Sequence, residues 1–435
     1  MSYYTSNIKS WVISPVFDKS QIRSEFRLAS NALFTSGLRL LNIGVIESIP
    51  TNGGPVRYNY LAGNGSHIKN MYLMDGKVVL DQVLNFQALE AFKRYNKPNS
   101  VNCDVNKIIH QNGLGFVYDR QVETPAIPPV PANPNATPPT PAIPGVPAVS
   151  YDAMIKEFYP NAPNAPTQSE STTPKGYLNL NEVFPILKSL LFLDTNLFSN
   201  LTVVIEYINT NVLTEQTNAV VNGTTQPILV ADEVMDPVFA QKVAKEFKGV
   251  SWNTMELETV QLSAGTAGTV QNLNWKLLGF NNKTLNRLLV QKAGFNGLNV
   301  SELYGALGSE AMINEKFQVI VNGSNLLPND GITGPNMALD LLTSTFGNLN
   351  SIPCSNDAGF YKANVLVENT VARLGHLSYY GVVVGSKIQN LQVSYSRTMR
   401  TNGATQYGQP LQFNFFGEVS KSLVPTKDGY LINYQ

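Results

Sequence analysis

Charge is scarce in this 435-residue chain: Asp, Glu, Lys and Arg make up 14% of it, against about 25% in ordinary soluble domains. Lys and Arg total 31, and so do Asp and Glu. A balanced chain exerts no long-range pull on nucleic acid or on an acidic membrane surface, and no direct nucleic-acid binding is expected. Cysteine is rarer still. Cys103 and Cys354 stand alone without a CxxC partner, which excludes a disulfide framework and a paired-cysteine zinc site. The three histidines, His67, His110 and His376, have no second His or carboxylate at helical metal spacing. His67 reads as a loop residue. No run of 18 or more apolar residues, the length that crosses a bilayer, occurs. The best candidate, Phe184 to Tyr207, is broken by Pro185, Lys188, Asp194 and Glu206. The first residues lack a basic stretch followed by an apolar one, so no secretion signal is expected.

Catalytic signatures are missing as well. There is no Gly-x-Ser-x-Gly elbow and no Walker A loop. Gly113 with Gly115, and Gly63 with Gly65, are each half of a dinucleotide pattern and read as turns. The acidic pairs Asp232/Glu233 and Glu256/Glu258 lie in a polar bridge and at a strand start, where they read as solvated carboxylates and not as a glycosidase pair. Lys387, Arg397 and Arg400 are spread over a strand and a loop, without the clustering that a nucleic-acid face needs. No catalytic, cofactor-binding or metal-binding residue and no cofactor is assigned. The chain is expected to be non-enzymatic and to work through its surfaces.

What the chain has instead is amide, hydroxyl, proline and short apolar runs. Asn makes up about one residue in nine, well above ordinary usage. Between Pro125 and Pro147 there are ten prolines in 23 residues. They include a near repeat, Thr124-Pro-Ala-Ile-Pro-Pro-Val-Pro-Ala132 and Thr140-Pro-Ala-Ile-Pro-Gly-Val-Pro-Ala148. Proline cannot donate to a β-ladder, so residues 120–176 read as a stiff, polyproline-like insertion on a β frame.

The clearest hairpin is Met71 to Leu80, two apolar runs flanking Asp75-Gly76 as a type I′ turn pair. A short helix is predicted over 84–95, a loop and short helix over 178–193, and a strand over 201–209 buried on both sides. Ala231 to Val250 is more charged, with helical spacing at Val234, Val238, Phe239 and Val243. Beyond it, short strands are predicted at 254–262, 270–279, 316–322, 379–384, 388–396, 410–419 and 428–434, with short helices at 300–312 and 337–346. Many short strands separated by turn signals point to sandwiches or barrels. The resulting division is an arm at 1–25, a first β domain at 26–230 carrying the insertion, a bridge at 231–250 and a second β domain at 251–435.

Three segments carry a resemblance: the hairpin and helix from Gly65 to Leu89; Leu178 to Leu193 running into the strand at 201–209; and Leu411-Gln-Phe-Asn-Phe-Phe-Gly-Glu-Val-Ser-Lys-Ser-Leu423 followed by Gly429 to Tyr434. In order and spacing they resemble the double jelly-roll major capsid proteins of virophages, polinton-like viruses and large DNA viruses. The resemblance implies an all-β chain of two tandem eight-stranded jelly rolls with short interleaved helices and long loops. It also implies homotrimers forming pseudo-hexagonal capsomers that tile an icosahedral shell in the virion, assembled inside the host cell. Implied partners are the chain itself, neighbouring capsomers, minor and vertex capsid proteins and an inner membrane. The proline-rich insertion has no counterpart in the family pattern. Two other readings stay open at this point. One is a minor or vertex capsid protein. The other is a carbohydrate-binding, adhesin-type β-sandwich with Tyr379, Tyr380, Tyr395 and Tyr407 lining a groove.

Overall fold

A computed structural model describes residues 7–19, 22–48, 65, 67–95, 176–208, 220–266, 268–294, 315–328, 331–332, 337, 341, 344–345, 379–398, 410–427 and 429–435. In chain order the first half supplies β1 (Ile8–Ile13), β2 (Phe17–Lys19), β3 (Arg23–Arg27), β4 (Leu33–Thr35), β5 (Arg39–Ile43), β6 (Ile46–Ser48), β7 (Ile68–Asp75) and β8 (Val78–Val83). Helix α1 (Phe86–Tyr95), β9 (Gly176–Asn179), α2 (Leu180–Val183), α3 (Pro185–Ser189), β10 (Phe192–Asp194), β11 (Leu201–Tyr207), β12 (Val220–Val221) and β13 (Ile228–Val234) complete it. Helix α4 (Pro237–Glu246) leads into β14 (Val250–Leu262), β15 (Val270–Lys276), β16 (Thr284–Gly294), β17 (Glu315–Val321), β18 (Ser324–Asn325), β19 (Tyr379–Lys387), β20 (Leu391–Thr398), β21 (Leu411–Thr426) and β22 (Gly429–Tyr434).

The first half is a sandwich of two antiparallel sheets. One is ordered β10-β4-β13-β5-β9 with β1 added on β13, and the other is β2-β3-β11-β7-β8. Alternation places Phe26, Leu73 and Val203 from one sheet against Phe34, Leu40 and Leu229 from the other, all buried in one core. The second half repeats the plan with β14-β21-β16-β19, extended by β22 on β21, facing β15-β20-β17-β18. Its core is aromatic: Phe413, Phe415, Tyr395, Phe317 and Tyr380, with Phe317 stacked on Tyr380 at 4.8 Å and Tyr395 edge-on to Phe413 at 4.8 Å.

Local chemistry explains the punctuation. Gly76 takes φ +57° at the β7–β8 turn, a conformation cheap only for glycine. The turn residues are Gly76-Lys77, because Asp75 is paired with Val78 inside the ladder. The expected Asp-Gly turn is thus displaced by one position. Asp236 caps α4 by accepting from the Val238 and Phe239 amides at 2.9 and 3.1 Å, and Pro237 starts the helix where no donor is needed.

Other expectations need correction. Residues 8–13, expected in an arm, form β1, paired along its length with β13 from Ile8↔Val234 to Ile13↔Leu229. The strand is exposed at five of its six positions, so no alternating pattern marked it. The bridge expected at 231–250 begins inside β13, and only Pro237–Glu246 is helical. Strand β16 was not anticipated. Leu288, Leu289 and Val290 are all fully buried, which erases the period of two that marks a one-sided strand. The expected helix at 337–346 has helical residues at 337, 341, 344 and 345. The proline-rich insertion, apart from Gly176 in β9, and the helix expected at 300–312 lie outside the described residues.

Candidate functional site: the seam between the two sandwiches

The residues that sequence reading singled out do not converge. Asp232 is engaged by Arg39 at 2.6 Å and Glu233 accepts from the Trp11 indole at 2.6 Å, both on β13. Glu258 accepts from the Gly279 amide at 3.0 Å. Tyr380 and Tyr395 are core residues at 0% and 1% exposure, which removes them from any groove. Arg397 is buried, its Nε donating to Gln271 at 2.9 Å. His67 is fully buried, and so is not a loop residue in contact with water. His110, His376, Cys103, Cys354, Gly63, Gly113, Gly115, Arg400 and Tyr407 lie outside the described residues. Among the described residues no three His, Cys, Asp or Glu side chains gather as metal ligands would.

What the fold does bring together is a seam between the sandwiches. The apolar cluster of the first core continues into Trp252, Leu289, Phe416 and Leu423 of the second half. Helix α3 lies against β14, with β8 beside it. Phe198 packs edge-on to Tyr430 at 5.3 Å, and Phe192 to Phe239 at 5.2 Å. A gap of about 20 Å³ lies between Phe192, Leu193, Phe198, Phe247, Val250 and Leu423. Its lining is apolar, so it is a packing void rather than a ligand site.

Polar groups cross the seam at two points, and a third cluster braces the second sandwich beside it. Asp81, fully buried on β8, accepts from Thr254 Oγ1 on β14 at 2.6 Å, from the Ile186 amide at 3.1 Å and from the Gln82 amide at 3.0 Å. Burial pushes its carboxyl up from the usual range, with Thr254, Ile186 and the charge of Lys421 opposing. Asp75 accepts from Ser199 Oγ at 2.9 Å, from the Asn200 amide at 2.6 Å and from the Tyr430 hydroxyl at 3.0 Å. Glu256, read as solvated, is buried. Within the second sandwich it holds Lys283 at 2.5 Å and Lys421 at 3.4 Å and accepts from the Tyr434 hydroxyl at 2.8 Å. Both ammonium groups sit over the Tyr434 ring, at 4.5 and 4.8 Å. Burial and then the neighbouring carboxylate push the Tyr430 and Tyr434 hydroxyls well up. Sequence reading missed these links because the partners are far apart in the chain. The signal available was Trp252, Thr254 and Glu256 alternating on β14, which marks a face but not its cover.

The two sandwiches thus share an apolar, hydrogen-bonded seam. Comparison with solved structures decides the type of fold. Over 99% of its length the chain superposes on 97% of PBCV-1 VP54, in a crystal structure fitted into a cryo-EM reconstruction of the virophage Sputnik, with TM-score 0.53 and 10% identity. It also superposes over 99% of its length on 90% of the mavirus major capsid protein (TM-score 0.50, 10% identity), and over 98% on 88% of a chain of the Sputnik virophage (TM-score 0.52, 9% identity). The fold is the double jelly roll of major capsid proteins. No family model and no curated protein sequence matches the chain. At such identity the likeness is one of architecture, and the two sandwiches are hereafter the first and second rolls.

Proposed function

We propose that the chain is a viral major capsid protein whose copies trimerise into pseudo-hexagonal capsomers and tile an icosahedral shell. The observation that carries this reading is the seam. Two rolls of the same plan, fused side by side and fixed by Asp81–Thr254, Asp75–Tyr430 and the shared apolar cluster, give one chain two of the six wall positions of a hexagonal prism. Three copies close such a prism by cyclic symmetry. The low charge supports dense packing of identical copies. The division between rolls falls between β13 and β14. Neighbouring capsomers, minor and vertex capsid proteins and a membrane beneath the shell are the partners of this reading, and the virion, assembled in the host cell, is its location. The protein performs no catalysis in it.

Mass measurement of the purified protein with negative-stain imaging tests the proposal. Particles of three times the 47.7 kDa chain mass with hexagonal outlines are expected. A stable monomer that binds glycans would replace this reading with the adhesin one. Five-fold particles would replace it with a vertex protein.

A further inference from the structure

His67 is the sole histidine among the described residues, and histidine is the side chain whose ordinary range spans pH 5 to 8. It sits immediately before β7, at the end of the sheet where β11 finishes and the ladder shifts register between Glu206 and Tyr207. The ring is fully buried and stacks on Tyr207 at 4.6 Å and 12°. Its Nδ1 lies 3.0 Å from the Ile208 carbonyl. A carbonyl only accepts, so the ring proton is on Nδ1 and Nε2 carries a bare lone pair. Among the described residues no group hydrogen-bonds Nε2, and the Tyr207 hydroxyl has Ser24 near it without a hydrogen bond of ordinary geometry.

Of the charged groups around this pair, the Asp18 carboxylate acts on the Tyr207 hydroxyl and none acts on the imidazole. On β11, Glu206 is engaged by Asn70 at 2.8 Å and by Tyr72 at 3.3 Å. On β3, Arg23 pairs with Glu25 at 2.8 Å, and Ser24 donates to Asp18 of β2 at 2.8 Å. Lys69 on β7 is exposed. Phe86 of α1 packs against Gly65. A second ring proton would therefore arrive at Nε2 with no acceptor, inside an apolar core.

We propose that His67 is an acid-sensitive pin whose protonation opens the β7–β11 end of the first roll while the second roll stays closed. The electrostatics agree with the geometry: burial lowers the affinity of the ring for a proton to about 4, only partly offset by the Ile208 carbonyl. An unfolded chain binds that proton near 6.5. The stabilisation is thus complete above that value and is lost as pH falls toward 4, with a ceiling of roughly 300-fold in the opening equilibrium. This holds whether or not the chain builds a capsid, so either proposal can fail alone.

Hydrogen exchange of the full chain from pH 7 to 4.5, corrected for intrinsic rates, tests it. Peptides covering 67–75 and 201–208 are expected to lose protection by up to about 80-fold at pH 4.5, while 379–398 and 411–426 keep theirs. His67→Phe retains the stack and removes the proton site, and should flatten the response. An unchanged response in that variant, or simultaneous opening of both rolls, overturns the proposal. Should the variant fail to fold, selective ¹⁵N-histidine NMR on the native chain decides, with assignments from His110→Gln and His376→Gln. A His67 ring that titrates near 6.5 in an intact first roll overturns it, and one still carrying its proton on Nδ1 alone below pH 5 supports it.

Discussion

The two rolls share a plan but differ in how they complete their cores. The apolar cluster of the first includes Trp252, Leu289, Phe416 and Leu423, with Phe247, Val250, Met255, Leu257, Tyr430 and Ile432 packed around it. Every one of these comes from beyond β13. Among the described residues the second core draws on none before Val260. Among the described residues the first roll is therefore finished by its neighbour, whereas the second is finished from its own half. Similar folds in one chain need not be equally autonomous, because autonomy depends on where the last apolar face finds its cover.

The strongest test of this asymmetry compares adjacent residues of β21. Phe415 faces the second core and Phe416 the shared cluster. Replacing either by Ala should cost about 3–5 kcal/mol by urea unfolding. Hydrogen exchange should show Phe415→Ala opening the second roll alone and Phe416→Ala loosening both. If Phe416→Ala leaves the first roll unchanged, the asymmetry is wrong.

Thr254→Val is next. It withdraws a donor from a buried carboxylate, worth about 1.5–3 kcal/mol. Asp81 is raised by burial, so its favourable contribution is full below the ordinary carboxylate range and declines as pH rises through the raised value. Losing Thr254 raises it further, so the penalty should be larger at pH 7 than at pH 4. Equal penalties would remove the seam carboxylate from the comparison. Gly249→Ala acts on the link itself. Gly249 has φ +124°, and an added Cβ would stand 2.6 Å from the Leu423 carbonyl oxygen. Strain of about 1–3 kcal/mol is expected in thermal denaturation. The smallest effect belongs to Tyr430→Phe, which removes the Asp75 link for about 0.5–1.5 kcal/mol. Its loss should appear in the first roll before the second.

How much of this was legible depends on the range of the signal. The β7–β8 hairpin, α1 and the strand after Asn200 announce themselves within a dozen residues, through a turn glycine, helical spacing and β-branched runs. Strands β1 and β16 are the two extremes. One is wet on both faces and the other dry on both, and neither alternates. The seam was hidden for a different reason. Thr254 meets Asp81 across 173 positions, and Tyr430 meets Asp75 across 355. Each is an ordinary polar residue until the partner is known. His67 misled because a polar residue in a glycine- and asparagine-rich stretch resembles a turn, while its burial is set by Tyr207 from another strand.

Pairing β1 with β13 also imposes a timetable on synthesis. Ser10 and Asp232 lie 222 residues apart, so at a ribosomal pace of about 5–20 residues per second the strand Ile8–Ile13 waits roughly 10–45 s for its mate. Throughout that interval its backbone donors and acceptors lack the β13 ladder, within reach of other nascent chains on the same message. Slower translation therefore lengthens the exposure of this edge, long before any question of assembly arises.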